Sequence, residues 1–212
     1  MNLHYPTLYK YLSKILHMFF DSRATPLADD FVTSRSSKGD PAEFTLLSRL
    51  LEKSGSNLDV TDISAECCDH MVAGIDTTGD ALCFLMWQLS QPDYLHYQDK
   101  IREELQSNHD ARFDELPFLD AIVQEGLRCF PAIPMSLPRF VPSGGRTIDG
   151  YFVPENATVS SQAYSVNRYD QAVFPSPDTF QPERWLQPDG EAERKRVMFA
   201  FSHGGRGCVG KQ

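Results

Sequence analysis

The densest chemistry in this 212-residue sequence lies at its end, in Phe201-Ser-His-Gly204-Gly-Arg206-Gly-Cys208-Val-Gly210. Glycines on both sides of a cysteine describe a loop whose backbone can approach a flat ligand closely. Backbone N–H groups in such a loop can hydrogen-bond to sulfur and hold it as thiolate, the form that ligates metals. Arg206, two residues before the cysteine, adds a permanent positive charge whose planar fork suits a carboxylate. The competing reading is a glycine-rich turn with an incidental thiol, and the number of fixed positions weighs against it.

Two more clusters stand upstream. Glu125 and Arg128, in Glu125-Gly-Leu-Arg128, lie one helical turn apart and can pair on one face. Taken alone they read as a surface ion pair worth a few tenths of a kcal/mol, roughly the usual figure for such pairs. Gly74 and Gly79 sit in the middle of the longest helical pattern, beside Thr77 and Thr78. Each glycine costs about 1 kcal/mol against alanine in a helix interior. Either a ligand approaches the backbone there or another helix crosses it. Cys67, Cys68 and His70 do not make a metal site, because adjacent helical residues point about 100° apart and no second pair follows.

The elements that must hold these residues are mostly helices. Tyr5 to Phe20 reads as an amphipathic helix, and Thr33 to Asp40 as a polar loop. A short helix opens at Pro41, with Phe44, Leu47, Leu50 and Leu51 on one face. The long helix runs from about Asp59 to Gln91, capped by Asp59 or Thr61 and stopped by Pro92. Helices follow from about Tyr94 to Ser107 and from about Leu116 to Cys129. Pro131, Pro134, Pro138 and Pro142 then break any helix, and Thr147–Val153 and Ala157–Ser161 read as small β-hairpins. Phe174 to Trp185 is irregular and rich in Pro and Phe. The fold class is therefore mainly α with small β-sheets (α+β).

Composition narrows the function. Hydrophobic residues make up 41% and charged residues 23%, so a packed core is expected and disorder is not. A net charge of -9 argues against a nucleic-acid partner, which needs clustered Lys and Arg. Five cysteines without scaffold spacing point to a reducing compartment. No run reaches the roughly 18 apolar residues of a membrane span, and no signal-peptide pattern follows Met1. The chain by itself reads as cytoplasmic.

Phe201, Gly204, Arg206, Cys208 and Gly210 match FxxGxRxCxG, and the sequence here resembles the haem-binding signature of the cytochrome P-450 family. Three further motifs resemble that family in the same order: Ala73-Gly74-Ile75-Asp76-Thr77-Thr78, Glu125-Gly-Leu-Arg128 and Pro182-Glu-Arg184-Trp185. The resemblance implies haem b with Cys208 as axial thiolate ligand to iron, Arg206 on a haem propionate, and Phe201 packed near the sulfur side of the ring. It implies that Gly74, with Ala73, leaves room for dioxygen and that Thr77 and Asp76 deliver protons to it. Glu125, Arg128 and Arg184 become a structural triad bracing the cysteine loop. Arg139, in Leu137-Pro138-Arg139, resembles a second propionate-binding arginine; the alternative is an exposed loop arginine.

The implied fold is a cytochrome P-450 domain with a long central helix, an ExxR helix, a meander and a Cys-ligand loop. The implied activity is insertion of one oxygen atom from O2 into a small organic substrate, with electrons from an NADPH-dependent reductase. The style of the motifs points to fungal secondary metabolism. The resemblance covers residues 42–212 well and 1–41 weakly. The chain reads as the C-terminal half of a longer, endoplasmic-reticulum-bound enzyme, without membrane anchor and without the helix after the cysteine loop. The rival expectation is a non-catalytic truncated fragment that does not hold haem stably.

Overall fold

The computed structural model describes residues 6–18, 26–38, 42–53 and 58–211. The described residues are mostly helical, with two small antiparallel sheets. Two compact units divide the chain, residues 1–74 and 75–212.

The first unit holds α1 (Pro6–His17), α2 (Pro26–Lys38), α3 (Leu46–Lys53) and the start of α4 (Val60–Leu89). The ends of the first expected helix, Tyr5, Phe19 and Phe20, lie outside the described residues, as do Gly39, Asp40 and Pro41. The polar loop expected from Thr33 is helical as far as Lys38. Val32 and Ser36 are buried one turn apart; the hydroxyl of Ser37 donates back to Thr33 O (2.7 Å) and so is satisfied on the helix, whereas the buried Ser36 hydroxyl has no partner among the described residues. The next helix starts later than its apolar face predicts. Thr45 caps it by accepting the Ser48 N–H (3.1 Å), and Phe44 stands in the left-handed region (φ 63°), outside the helix and largely exposed.

At α4 the sequence marks the boundaries well. Asp59 accepts the Asp62 N–H (2.8 Å) while the Asp62 carboxylate accepts the Asp59 N–H (3.3 Å), a reciprocal cap. At 30 residues the helix is about 45 Å long.

The second unit packs the end of α4 with α5 (Leu95–Ser107) and α6 (Pro117–Cys129). Tyr97, Ile122, Cys129 and Phe180 form its buried cluster, with Leu85 and Leu89 of α4 against it. Close approach of α4 and α6 is set by Gly126: a Cβ there would stand 2.9 Å from Leu85 Cδ1. Among the described residues nothing lies within 4 Å of a Cβ built on Gly74 or Gly79, so a helix crossing, one of the two readings of those glycines, is not found there.

Strand β1 (Ser136–Phe140) contains Pro138, and β2 (Arg146–Ile148) and β3 (Tyr151–Val153) form a hairpin. Asp149 and Gly150 both have positive φ (48° and 82°), as a two-residue type I′ turn requires. Strand β4 (Thr158–Gln162) pairs not with a local partner but with β1, Ser136 opposite Gln162 and Phe140 opposite Thr158. The hairpin is thus inserted between two strands that find each other across it. Helices α7 (Ala163–Tyr169) and α8 (Glu191–Val197) complete the order. Neither shows an apolar period long enough to be read in sequence.

Candidate active site

A buried carboxylate organises the second unit. Glu125 and Arg128 are 0% exposed, which removes the surface ion-pair reading. Arg128 donates Nε to Glu125 Oε2 (2.9 Å) and Nη2 to Oε1 (2.8 Å), a bidentate fork. Glu125 Oε1 also accepts from Arg184 Nε (3.2 Å) and the Gln181 N–H (2.8 Å), and Oε2 from Trp185 Nε1 (2.9 Å). Two guanidiniums against one carboxylate leave an excess positive charge. Backbone carbonyls answer it: Pro177 O and Thr179 O accept from Arg128 (2.7 and 3.1 Å), and Pro175 O from Arg184 (2.9 Å).

The sequence explains why those carbonyls are available. Pro175 and Pro177 cannot donate to a ladder, and Ser176 turns the chain with φ 49°. The irregular segment therefore aims its oxygens inward instead of pairing them. Burial pulls the Arg128 guanidinium down in pKa, but its bonds to Glu125 outweigh this and leave it raised. Burial and the Glu125 charge together push the Cys129 thiol up to about 12.

Trp185 and Asn167 belong to this network, and the motif reading passed over both as contributors. Trp185 was legible as part of Pro182-Glu-Arg184-Trp185, but nothing local marks its indole as a donor to Glu125. Asn167 carries no sequence signal at all.

The cysteine loop follows. Ser202 N–H donates to Phe199 O (3.0 Å), Gly207 N–H to Gly204 O (2.9 Å) and Cys208 N–H to Phe201 O (2.9 Å). Gly204 has φ 72°, a conformation that favours glycine, and a Cβ on Gly210 would touch Cys208 Sγ at 3.8 Å. Cys208 and Arg206 are exposed.

Beside the loop lies a mainly apolar cavity of about 460 Å³, within the roughly 300–1,000 Å³ of small-molecule sites. One wall is α4, through Thr77, Thr78, Ala81 and Leu85; another is α6, through Val123 and Gly126. Phe201, Arg206, Cys208 and Gly210 close it from the loop. A second cavity, of about 520 Å³, shares Leu137, Phe199, Ser202 and Arg206 with the first, and Arg139 and His203 line it too. Arg139 stands exposed on β1, donating to Pro138 O (2.8 Å). The structure thus brings Thr77, Phe201, Arg206, Cys208 and Gly210 to one cavity and Arg139 with Arg206 to its neighbour. Asp76, exposed on α4, is not on the cavity wall; Ala73 and Gly74, also exposed, fall in the first unit.

A loop-borne thiol, a guanidinium beside it, an apolar cavity and a buried Glu–Arg–Arg network thus stand together in the second unit. The chain belongs to the cytochrome P450 family, whose model matches residues 1–212. It is 32% identical over 209 residues to cytochrome P450 monooxygenase stcB of Emericella nidulans, covering 94% of this chain and 39% of that protein. It is 33% identical to cytochrome P450 monooxygenase macH of Penicillium terrestre (86% of this chain, 38% of the relative). It is 34% identical to cytochrome P450 monooxygenase hkm5 of Aspergillus hancockii (70% and 30%). The chain therefore spans less than two fifths of the length of these relatives. No described helix is long and apolar enough to cross a membrane.

Proposed function

We propose that the protein works as a haem-thiolate monooxygenase of fungal secondary metabolism, inserting one oxygen atom from O2 into a small organic substrate. The observation that carries this reading is the convergence of the Cys208 thiol, the Arg206 guanidinium and apolar helix faces on one cavity. The donor set fits haem b. Cys208 would hold the iron through its thiolate, and Arg206 with Arg139 would offer two cations to the two propionates. Phe201 packs beside the sulfur, and Gly204 and Gly210 let the loop backbone stay close to it.

Haem, when bound, would supply the chemistry of oxygen activation. The chain's own residues handle protons and water. Thr77 lines the cavity while Asp76 faces solvent beside it on α4, so Asp76 can, through bridging water, replace a proton that the Thr77 hydroxyl passes inward. Ala73 and Gly74 leave the helix narrow on the preceding turn. Glu125, Arg128 and Arg184 hold the segments around the loop in register. The electron donor on this reading is an NADPH-dependent reductase, and the place of work is the cytosolic face of the endoplasmic reticulum.

A second reading, a chain that by itself does not retain haem, is favoured by the exposure of Cys208 and of Val209 beside it. The carbon monoxide difference spectrum of the purified chain, reduced after haem is added, separates the two. The monooxygenase reading expects the red-shifted band of a thiolate–iron–CO complex, lost in Cys208→Ser. A spectrum unaltered by that substitution overturns the ligand assignment. No band from this chain, with a full-length relative giving one, supports the second reading.

A further inference from the structure

Asn167 lies in α7, outside every motif, and its side chain is 0% exposed. Nδ2 donates to Arg128 O (3.2 Å), and Oδ1 accepts the Phe199 N–H (2.8 Å). A carbonyl can only accept and an N–H only donate, so both partners agree on one orientation of the amide. The backbone of the same residue closes a third bond, Asn167 O accepting from Arg128 Nη1 (3.3 Å). Its neighbour Arg168 anchors the helix by donating Nη2 to Cys129 O (2.8 Å) and Nε to Asp178 (3.1 Å). The Asn167 side chain therefore stands on a fixed support.

Phe199 is where the cysteine loop begins. From Phe199 the bonds run on through Ser202 N–H to Phe199 O and Cys208 N–H to Phe201 O. The loop contains two residues at positive φ, Ser202 (58°) and Gly204 (72°). Ser202 pays a steric cost there that its surroundings must overcome. A buried hydrogen bond at the loop's entry supplies such a restraint.

We propose that Asn167 is a positioning residue for Cys208, the link through which the buried Glu125–Arg128–Arg184 network sets the start of the cysteine loop. Its effect on ligation rests on the haem reading above; its effect on the loop does not.

Amide hydrogen exchange over residues 199–208, measured on the full chain without haem, is the test. Asn167→Ala removes both side-chain bonds, and exchange there rises about tenfold, the factor that corresponds to about 1.4 kcal/mol for one buried hydrogen bond. Phe180→Leu, which loosens the buried cluster around Tyr97 and Ile122 without touching Asn167, leaves the loop's exchange unchanged relative to global stability. With haem added, the carbon monoxide band moves from the thiolate position in Asn167→Ala and stays in Phe180→Leu. Exchange in Asn167→Ala equal to that in Phe180→Leu overturns the proposal. Where Asn167→Ala does not fold, Asn167→Leu fills the volume and is read in the same way. Failure of the haem reading shows separately, as a missing band in the wild-type chain.

Discussion

Glu125 accepts five N–H hydrogen bonds, two from Arg128 and one each from Arg184, Trp185 and the Gln181 backbone, besides a long one from the Cys129 thiol. A buried carboxylate is tolerated only when paired and hydrogen-bonded, and here each oxygen is saturated. Glu125→Gln removes the charge and turns an amide NH2 toward a donor, so it should cost about 3–5 kcal/mol in denaturant unfolding. Trp185→Phe takes away one bond to the same carboxylate and should cost about 1.5–3 kcal/mol. Equal losses in the two variants would deny Glu125 its central place. Cys129 offers a test by pH. Its thiol holds a proton to about 12 in the folded chain against its ordinary 9, because of burial first and the Glu125 charge second. The folded state therefore binds more protons between those values, and the stability this contributes is full below about pH 9 and drains as pH rises toward 12. Cys129→Ala should flatten the fall in stability over that window, leaving the share that Tyr97 contributes, since its hydroxyl is raised by burial and by Glu183 in the same direction.

At the scale of elements, ends and crossings matter more than interiors. Helix α6 begins at Pro117 with no side-chain cap of its own. The Glu104 carboxylate of α5 instead accepts the N–H groups of Phe118 (2.8 Å) and Leu119 (2.9 Å), a cap delivered from 14 and 15 residues away. Proline at the first turn was legible in the sequence; the donor of the cap was not, because it depends on how two helices meet. The glycines divide likewise. Gly79 is exposed with open space beside it, so Gly79→Ala should raise stability by about 0.5–1 kcal/mol through helix propensity alone. Gly126 is buried against the end of the Leu85 side chain, which must shift to admit a Cβ, so Gly126→Ala should be less stable than Gly79→Ala by about 1–3 kcal/mol. Thermal unfolding of both variants decides this, and equal rises would mean that Leu85 gives way at no cost.

Over the second unit as a whole, Arg128 joins segments far apart in sequence. It reaches Glu125 on its own helix, Asn167 on α7, and Pro177 and Thr179 in the irregular segment. Lysine keeps the charge but not the fork. Arg128→Lys should therefore release residues 119–129, 175–186 and 199–208 together in hydrogen exchange, rather than the helix alone. Local loosening confined to α6 would count against the network as a unit.

The sequence by itself determined the family and the order of its motifs, because these rest on residue types at short fixed spacings. Cysteine among glycines, a Glu–Arg pair one turn apart and a Pro-Glu-Arg-Trp turn are local facts. So are the Asp59 cap and the Asp149-Gly150 turn, where the chemistry lies within a few residues. Tertiary structure alone decided which polar groups are buried, which strand β4 joins, and which glycine a helix crosses. Glu125 and Arg128 could have faced water, and a helix crossing was one of two readings open at Gly74 and Gly79, while the close approach falls at Gly126. Burial and long-range pairing depend on what the rest of the chain brings near. That is why Asn167, with no local signature, became visible only once Arg128 and Phe199 stood on either side of it.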